Sequence, residues 1–269
     1  MQTGSRKIAL PLAAKSGIIA LLLALPLFVI SPALATVPLL LFLLLCLGAP
    51  FFPRFGFFLP IISRGKPGTN GVALTFDDGP SPESTPILLN ILARYQLPAT
   101  FFVVGEKAAN HPELITDILS QGHAIGNHSL RHDHLLMLRS LKTLQADIHN
   151  TQEILKKIGI QPLVFRPPAG ISNPRLAKVL AGEGLITVNF SCRAFDRGNR
   201  SINKLAARIL DRLQPGDIIM LHDLPPYQEN RSDYWQQELE CLFAALRNNY
   251  TVVSLKKIIQ CPVMKVNLL

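Results

Sequence analysis

Residues 71–105 read GVALTFDDGPSPESTPILLNILARYQLPATFFVVG, and this stretch decides the fold. Its opening, 72–76, is a short apolar run of the kind a buried parallel strand carries. An acidic pair, Asp77 and Asp78, follows directly, then Gly79 and Pro80. Ser84 stands ahead of Pro86 as a helix-start signal, and 86–95 reads as a helix. A second apolar run, 99–105, completes a strand–helix–strand unit.

Working outward, the same alternation continues to the end of the chain. Further strands are expected at 123–127, 163–166, 185–191, 217–221 and 250–255, with helices at 112–121, 141–158, 174–181, 202–213 and 234–247. Asn173 ahead of Pro174 is another start signal, and Gly122, Gly159 and Gly182 read as stops. Seven such units in about 200 residues suggest an α/β fold, a parallel (β/α) barrel somewhat smaller than the eight-fold one. An open doubly wound sheet is the alternative. No glycine-rich nucleotide fingerprint follows the first strand, which counts against it.

Upstream the composition changes. From Gly17 to Phe52 the chain has no charged residue, a run well beyond the roughly 20 residues that one membrane span needs. Pro32 and Pro38 divide it into two apolar blocks, 17–30 and 39–52, read as two spans or as one span and one interfacial helix. Residues 1–62 are thus expected to form a membrane anchor, 63–70 (SRGKPGTN) a polar linker, and 71–269 the catalytic domain. The net charge is +9, and Arg6, Lys7, Lys15, Arg54, Arg64 and Lys66 supply most of it. These flanks would face anionic lipid. No basic stripe with aromatic interleaving marks the remainder, so no nucleic-acid partner is expected. Basic residues flank the apolar region on both sides and its connecting segment has none. By the positive-inside rule both ends lie on the cytoplasmic face of the inner membrane. The competing reading is a signal peptide, with Arg6, Lys7 and Lys15 as its basic region and Ala33-Leu34-Ala35 as its cleavage site. Cys46, Cys192, Cys241 and Cys261 show no paired spacing and imply no disulfide framework.

The reactive side chains sit at one kind of place. Asp77 and Asp78 follow the first strand, His128 the third, Arg166 ends the fourth, and Asp196 and His222 lie just past the fifth and sixth. In a βα barrel, catalytic groups collect at these strand ends. Taken singly, an Asp-Asp-Gly is ordinarily a turn and a lone His a satisfied structural residue. Together they form a constellation. His128 and His132 are spaced i, i+4, which on a helical turn puts both imidazoles on one face. With Asp78 they make two nitrogens and one carboxylate, a set that leaves metal positions open for water and substrate. His134 is a nearby spare. Side chains of adjacent extended residues diverge, so the two aspartates have separate tasks: one binds metal, the other takes a proton.

Thr75-Phe76-Asp77-Asp78-Gly79-Pro80, His128-Ser129-x-x-His132, Arg166-Pro167-Pro168 and Leu221-His222-Asp223 together resemble the NodB-homology polysaccharide deacetylases, carbohydrate esterase family 4. The likeness covers about residues 71–255. It implies a distorted seven-fold β/α barrel and hydrolysis of an N-acetyl or N-formyl group on an amino sugar. It implies a divalent ion, zinc foremost, on Asp78, His128 and His132. Asp77 then matches the general base, His222 the acid that protonates the leaving amine, Arg166 the residue orienting the base, and Asp196 the carboxylate tuning the acid. Pro168, Ala169 and Leu221 match substrate-binding positions, with the backbone N–H of Ala169 at the oxyanion and Leu221 at the acyl pocket.

Two departures bear on the substrate. Ala169 stands where the family usually has an aromatic residue, and Phe190 and Arg197 where it commonly has tryptophan. Sugar-stacking surfaces are thereby reduced. With the membrane segment, this points to a lipid-linked or membrane-proximal glycan, with membrane lipid as a further partner. The alternatives are a deacylase of wall polymer on the outer side and, from another class, a non-catalytic membrane-anchored sugar-binding protein.

Overall fold

The structure, a computed structural model, describes residues 10–52 and 54–266. Arg6 and Lys7 of the basic flank lie outside the described residues. Two long apolar helices come first, α1 (Leu12–Ile30) and α2 (Pro32–Gly48). Both are long and apolar enough to cross a membrane by length and composition. The turn between them is narrower than the two prolines suggest. Only Ser31 is extended (φ −163°, ψ 129°), Pro32 opens α2, and Pro38 lies inside it. Proline at the first helical position lacks an N–H that has no intrahelical partner anyway, so Pro32 starts a helix rather than breaking one. The second block therefore begins at 32, not 39.

The rest of the chain contains β1 (Ile61–Ile62), β2 (Ala73–Asp77), β3 (Ala99–Val103), β4 (Ala124–Asn127), β5 (Ile160–Pro162), β6 (Val164–Phe165), β7 (Ile186–Val188), β8 (Cys192–Arg193), β9 (Ile218–His222) and β10 (Met264–Val266). Its helices are α3 (Thr85–Tyr95), α4 (Gly105–Asn110), α5 (Pro112–Ser120), α6 (Leu141–Lys157), α7 (Pro174–Glu183), α8 (Leu205–Leu210), α9 (Ser232–Asn249) and α10 (Leu255–Ile259). Eight strands pair in parallel in the order β1-β7-β6-β4-β3-β2-β9-β8, and β5 and β10 form a separate antiparallel pair. Only residues 189–191 separate β7 from β8, yet these strands stand near opposite ends of the order. The sheet therefore curls round on itself into a distorted barrel.

Strand alternation divides the core into two layers. Ala73, Phe102, Val164, Val188, Ile218 and Met220, from five different strands, meet in one cluster that the curled sheet encloses. Their neighbours Leu74, Phe76, Phe101, Ile219 and Leu221 face the other way and pack against helix residues such as Leu88, Ile91, Trp235 and Phe243.

Several elements differ from the expectation. At 250–255 the chain makes only the single bridge Val72↔Val252 before Ser254 leads into α10. β6 stops at Phe165 because Arg166 turns into the site and Pro167-Pro168 offer no N–H to a ladder. Gly182 lies inside α7, and Gly184 at φ 66° ends it. The sheet also starts earlier than residue 71. Ile61↔Thr187 and Ile62↔Val188 are paired, and Gly65 N–H donates to Gly216 O at 2.8 Å. The stretch 63–70 is thus bonded along the barrel. The apolar hairpin is attached as well: Ala13 N–H donates to Phe57 O at 2.9 Å, and Phe42 and Cys46 pack against a cluster containing Phe57, Phe58, Leu136, Met137 and Leu176.

The turn after β2 is fixed by Asp223, which is fully buried just beyond β9. It accepts hydrogen bonds from Ser84 Oγ and Thr85 Oγ1, both 2.6 Å, and its own N–H donates to Asp77 O at 2.7 Å. A Cβ on Gly79 would lie 2.2 Å from Asp223 Oδ2. Gly79→Ala should therefore displace this carboxylate and lower stability by about 1–3 kcal/mol, the usual cost of overpacking. A thermal melt superimposable on that of the wild type would refute the tight contact.

Candidate active site

Asp77 ends β2, and Asp78 follows it in a left-handed conformation (φ 73°). The change of backbone region aims the two carboxylates in different directions. Asp77 accepts from Arg166 Nη1, which also donates to Thr75 Oγ1 at 2.9 Å. Arg166 is itself buried, with Nε on Val188 O at 3.1 Å, Nη2 on Asn189 O at 3.2 Å, and its guanidinium carbon 3.9 Å from the centre of the Phe102 ring.

Asp78 points instead at two imidazoles. Its Oδ1 lies 3.2 Å from His128 Nε2 and 2.9 Å from His132 Nε2. The i, i+4 spacing does not come from a helix. Residues 128–132 form a loop in which Ser129 (φ 73°) and His132 (φ 54°) both take left-handed backbone. Asn127 Oδ1 accepts from Ser129 N–H, and Ser129 Oγ from His132 N–H, so the turn is built from short polar side chains. Burial alone would raise the Asp78 carboxyl, but His128 and His132 outweigh it and hold it well below the usual carboxylate range.

This trio fits a divalent cation on the chemistry of its atoms. Asp78, His128 and His132 each present one ligand atom, all within 4.8 Å of one another. Asp78 Oδ1 is buried without a hydrogen-bond partner. His128 Nδ1 lies 2.8 Å from Arg166 O, and a carbonyl only accepts, so Nδ1 carries the proton. In the neutral ring Nε2 is then a lone pair facing an orphaned carboxylate oxygen, an arrangement that a shared cation resolves.

His222, the last residue of β9, stands across the cleft. Its Nδ1 is 2.8 Å from Asp196 Oδ2, and Asp196 is buried. Burial lowers the imidazole pKa, but the hydrogen bond and charge of Asp196, aided by Asp78 and Asp77, raise it to about 9. Asp77, Asp78, His128, His132, Asp196 and His222 all line one cleft of about 700 Å³. Ala169 (φ 56°) and Pro167 form part of its wall, and exposed His134 its rim.

The profile of a family described as polysaccharide deacetylase matches residues 64–188. A chitooligosaccharide deacetylase from Bradyrhizobium sp. (strain ANU 289) is 34% identical over 167 residues, which cover 61% of this chain and 76% of the relative. The chain belongs to the polysaccharide deacetylase family. A peptidoglycan-N-acetylglucosamine deacetylase from Bacillus cereus is 35% identical over 154 residues, 56% of this chain and 72% of that protein. The crystal structure of the Bc1960 peptidoglycan N-acetylglucosamine deacetylase superposes with a TM-score of 0.68 at 28% identity, covering 76% of this chain and 94% of that one. The family's enzymes named here are deacetylases, hydrolases of carbon–nitrogen bonds other than peptide bonds.

Measured against that family pattern, two expected substrate contacts do not reach the cleft. Leu221 is buried in the layer under the helices, while Met220, on the same strand face as His222, lines the cleft. The period of two decides this, since adjacent strand residues face opposite ways. Pro168 is buried, and its neighbours Pro167 and Ala169 form the wall instead. Two supporting residues were missed. Asp223 braces the Asp77–Asp78 turn, and Lys107 Nζ donates to Asp78 O at 2.8 Å. The motif His222-Asp223 contained the first. Lys107 is one lysine in an ordinary helical stretch and carries no signal.

In the metal-free protein, the His222 ring followed by NMR should titrate near 9. The carboxylate is what raises that value, so Asp196→Asn should move it down by about one unit or more. At pH 8 at least about half of the variant's His222 would be neutral, where the wild type's is mostly charged. An unmoved titration would remove Asp196 from this role.

Proposed function

We propose that this protein is a membrane-anchored, metal-dependent hydrolase that removes an N-acetyl or N-formyl group from an amino sugar. The observation that carries the reading is the meeting of three potential metal ligands, an arginine-held carboxylate and a carboxylate-held histidine in one cleft. Family membership gives the reaction class, and the printed activities of the relatives give the substrate class, N-acetylated sugars.

Asp78, His128 and His132 would hold the ion, with zinc suited to such a nitrogen and carboxylate set. When bound, a divalent ion supplies a Lewis acid for the amide carbonyl and acidifies water. Asp77 accepts the proton of the attacking water. Arg166 fixes its orientation. The Ala169 backbone N–H serves as donor to the developing oxyanion. His222, charged at neutral pH, passes a proton to the departing amine, and Asp196 holds the ring by its other nitrogen. Water and amide thus become a carboxylic acid and a free amine. Substrate recognition falls to Met220 near the acyl group and to Phe190, Phe195 and Arg197 along the wall.

Purified full-length protein with added zinc should release acetate from N-acetylated chitooligosaccharides, or formate from a formylated analogue. Chelation should abolish release and restored metal should recover it. Asp77→Asn should lower kcat/KM by about 10²–10⁴-fold, the usual contribution of a general base. Metal binding without hydrolysis of any N-acylated amino sugar would favour the non-catalytic sugar-binding alternative.

The two apolar helices support an integral position in the inner membrane. Lys15 near the start of α1 and Arg54 just past α2, with only Ser31 at the turn, favour the cytoplasmic face. A fluorescent or phosphatase reporter fused after Leu269 should accordingly report the cytoplasm. Phosphatase activity there, with a dark cytoplasmic reporter, would place the domain outside, against wall polymer.

A further inference from the structure

The catalytic cleft does not end at the sugar site. On one side Phe190, Arg193 and Phe195 also line a neighbouring groove of about 610 Å³, together with Phe52, Arg54, Arg64 and Arg212. Phe52 and Arg54 in turn line a third cavity of about 640 Å³, whose other walls are Leu44, Leu45, Gly48, Ala49 and Phe55. The three share walls in sequence. A path runs from the apolar surface at the end of α2, through a cationic middle, to the metal ligands.

Among the described residues, most of the cationic middle is not paired with an acid. Arg64 is neutralised by Asp217 at 2.7 Å. Among the described residues, no carboxylate lies within ion-pair distance of Arg54, Arg193 or Arg212. They rest on other partners. Arg54 donates to Ser191 O. Arg193 lies 4.3 Å from the Phe195 ring centre and 5.4 Å from that of Phe190, and Arg212 lies 5.6 Å from Phe195. Asp196, an acid of the cleft wall, is engaged by His222. Guanidinium groups gathered without acids match a phosphate, which accepts paired hydrogen bonds from them. Phe51, Phe52 and Phe55 are exposed where the helix leaves the bilayer, as interfacial aromatics are.

We infer that the enzyme acts on an amino sugar carried on a lipid phosphate: the hydrocarbon lies beside the end of α2, the phosphate among Arg54, Arg193 and Arg212, and the N-acyl group at the metal site. This rests on the deacylase reading above and specifies its substrate. A soluble sugar phosphate would leave the apolar cavity unused. A neutral polymer would leave the arginines unused. An ordinary anionic lipid has no acyl-amino group to present to the cleft into which the groove opens.

The test compares kcat/KM of the full-length, zinc-loaded protein on three substrates: N-acetylglucosamine linked by diphosphate to a polyisoprenol in neutral-lipid vesicles, the nucleotide-linked soluble diphosphate sugar, and N,N'-diacetylchitobiose. The lipid-linked compound should exceed the neutral disaccharide by about 100-fold, with the soluble diphosphate between them. The double substitution Arg54→Gln, Arg212→Gln should cut the lipid-to-neutral ratio by about tenfold, a readout insensitive to partial loss of folded protein. Equal rates on lipid-linked and neutral substrates would overturn the inference while leaving the deacylase intact. So would a ratio untouched by the double substitution, or a soluble diphosphate sugar as good as the lipid-linked one. Hydrolysis of none of these substrates would overturn the deacylase reading and this inference with it.

Discussion

A buried guanidinium sets the terms for this active site. Arg166 leaves the end of β6, crosses the enclosed core and meets Asp77 at the end of β2. An unpaired charge there would be costly, and removing one partner of such a pair typically destabilises by about 3–5 kcal/mol. The arginine satisfies its other donors on Thr75, Val188 and Asn189, so it ties three parallel segments together at the level where catalysis is placed. Burial pulls the Arg166 pKa down, and the charge of Asp77 opposes this. Asp77 is thereby committed to an orientation. It is not free to swing beside Asp78 as a second metal ligand.

Asp78 needs the opposite treatment, and the chain supplies it through backbone rather than side-chain contacts. Its left-handed φ, the Lys107 bond to its carbonyl and the Asp223 brace beneath the turn all act on the position of the main chain. The carboxylate itself remains without a hydrogen bond at Oδ1, facing two nitrogens. The two neighbouring aspartates are thus divided: one is held by a cation of the protein, and the other faces two imidazole nitrogens, as the proposed metal site requires.

The acidic pair, the two histidines, the arginine and the acid histidine were legible because each follows a recognisable strand in the sequence. Their supports were not. Asp223 reads as the tail of a motif, and its partners Ser84 and Thr85 are remote in sequence, so only the fold reveals that it braces the turn. The His128–His132 loop looks helical by spacing, and the left-handed Ser129 and His132 that make it a loop carry no residue signature such as glycine. Apolar character identifies the strand at 218–222, while parity relative to His222 decides that Met220 lines the cleft and Leu221 faces the helices. In the fold, long apolar runs such as 99–103 and 218–222 were legible. The two-residue strand at Ile61–Ile62 was not, since an apolar pair next to a membrane segment looks like more of that segment.

The pairing of β1 into the sheet matters for how the two apolar helices are mounted. A free linker at 63–70 would let the domain range over a polymer at some distance from the bilayer. Instead Gly65 bonds to Gly216, β1 joins the sheet beside β7, and the helix residues Phe42 and Cys46 pack into the same cluster as Leu136 and Met137. Leu135 and Leu138, just beyond the metal-ligand loop, are exposed beside that cluster. The hairpin is therefore part of the catalytic body and holds the cleft at a set position relative to its apolar helices. With the two helices in a bilayer, as proposed, a rigid mount would restrict access to polymer far from the membrane and favour a substrate itself held in the bilayer, because both partners would then diffuse in the same plane with their reactive groups near the same depth. The loss of flat stacking surfaces at Ala169 and Arg197 follows the same logic. A substrate positioned by its lipid and phosphate requires less of its orientation from the sugar rings.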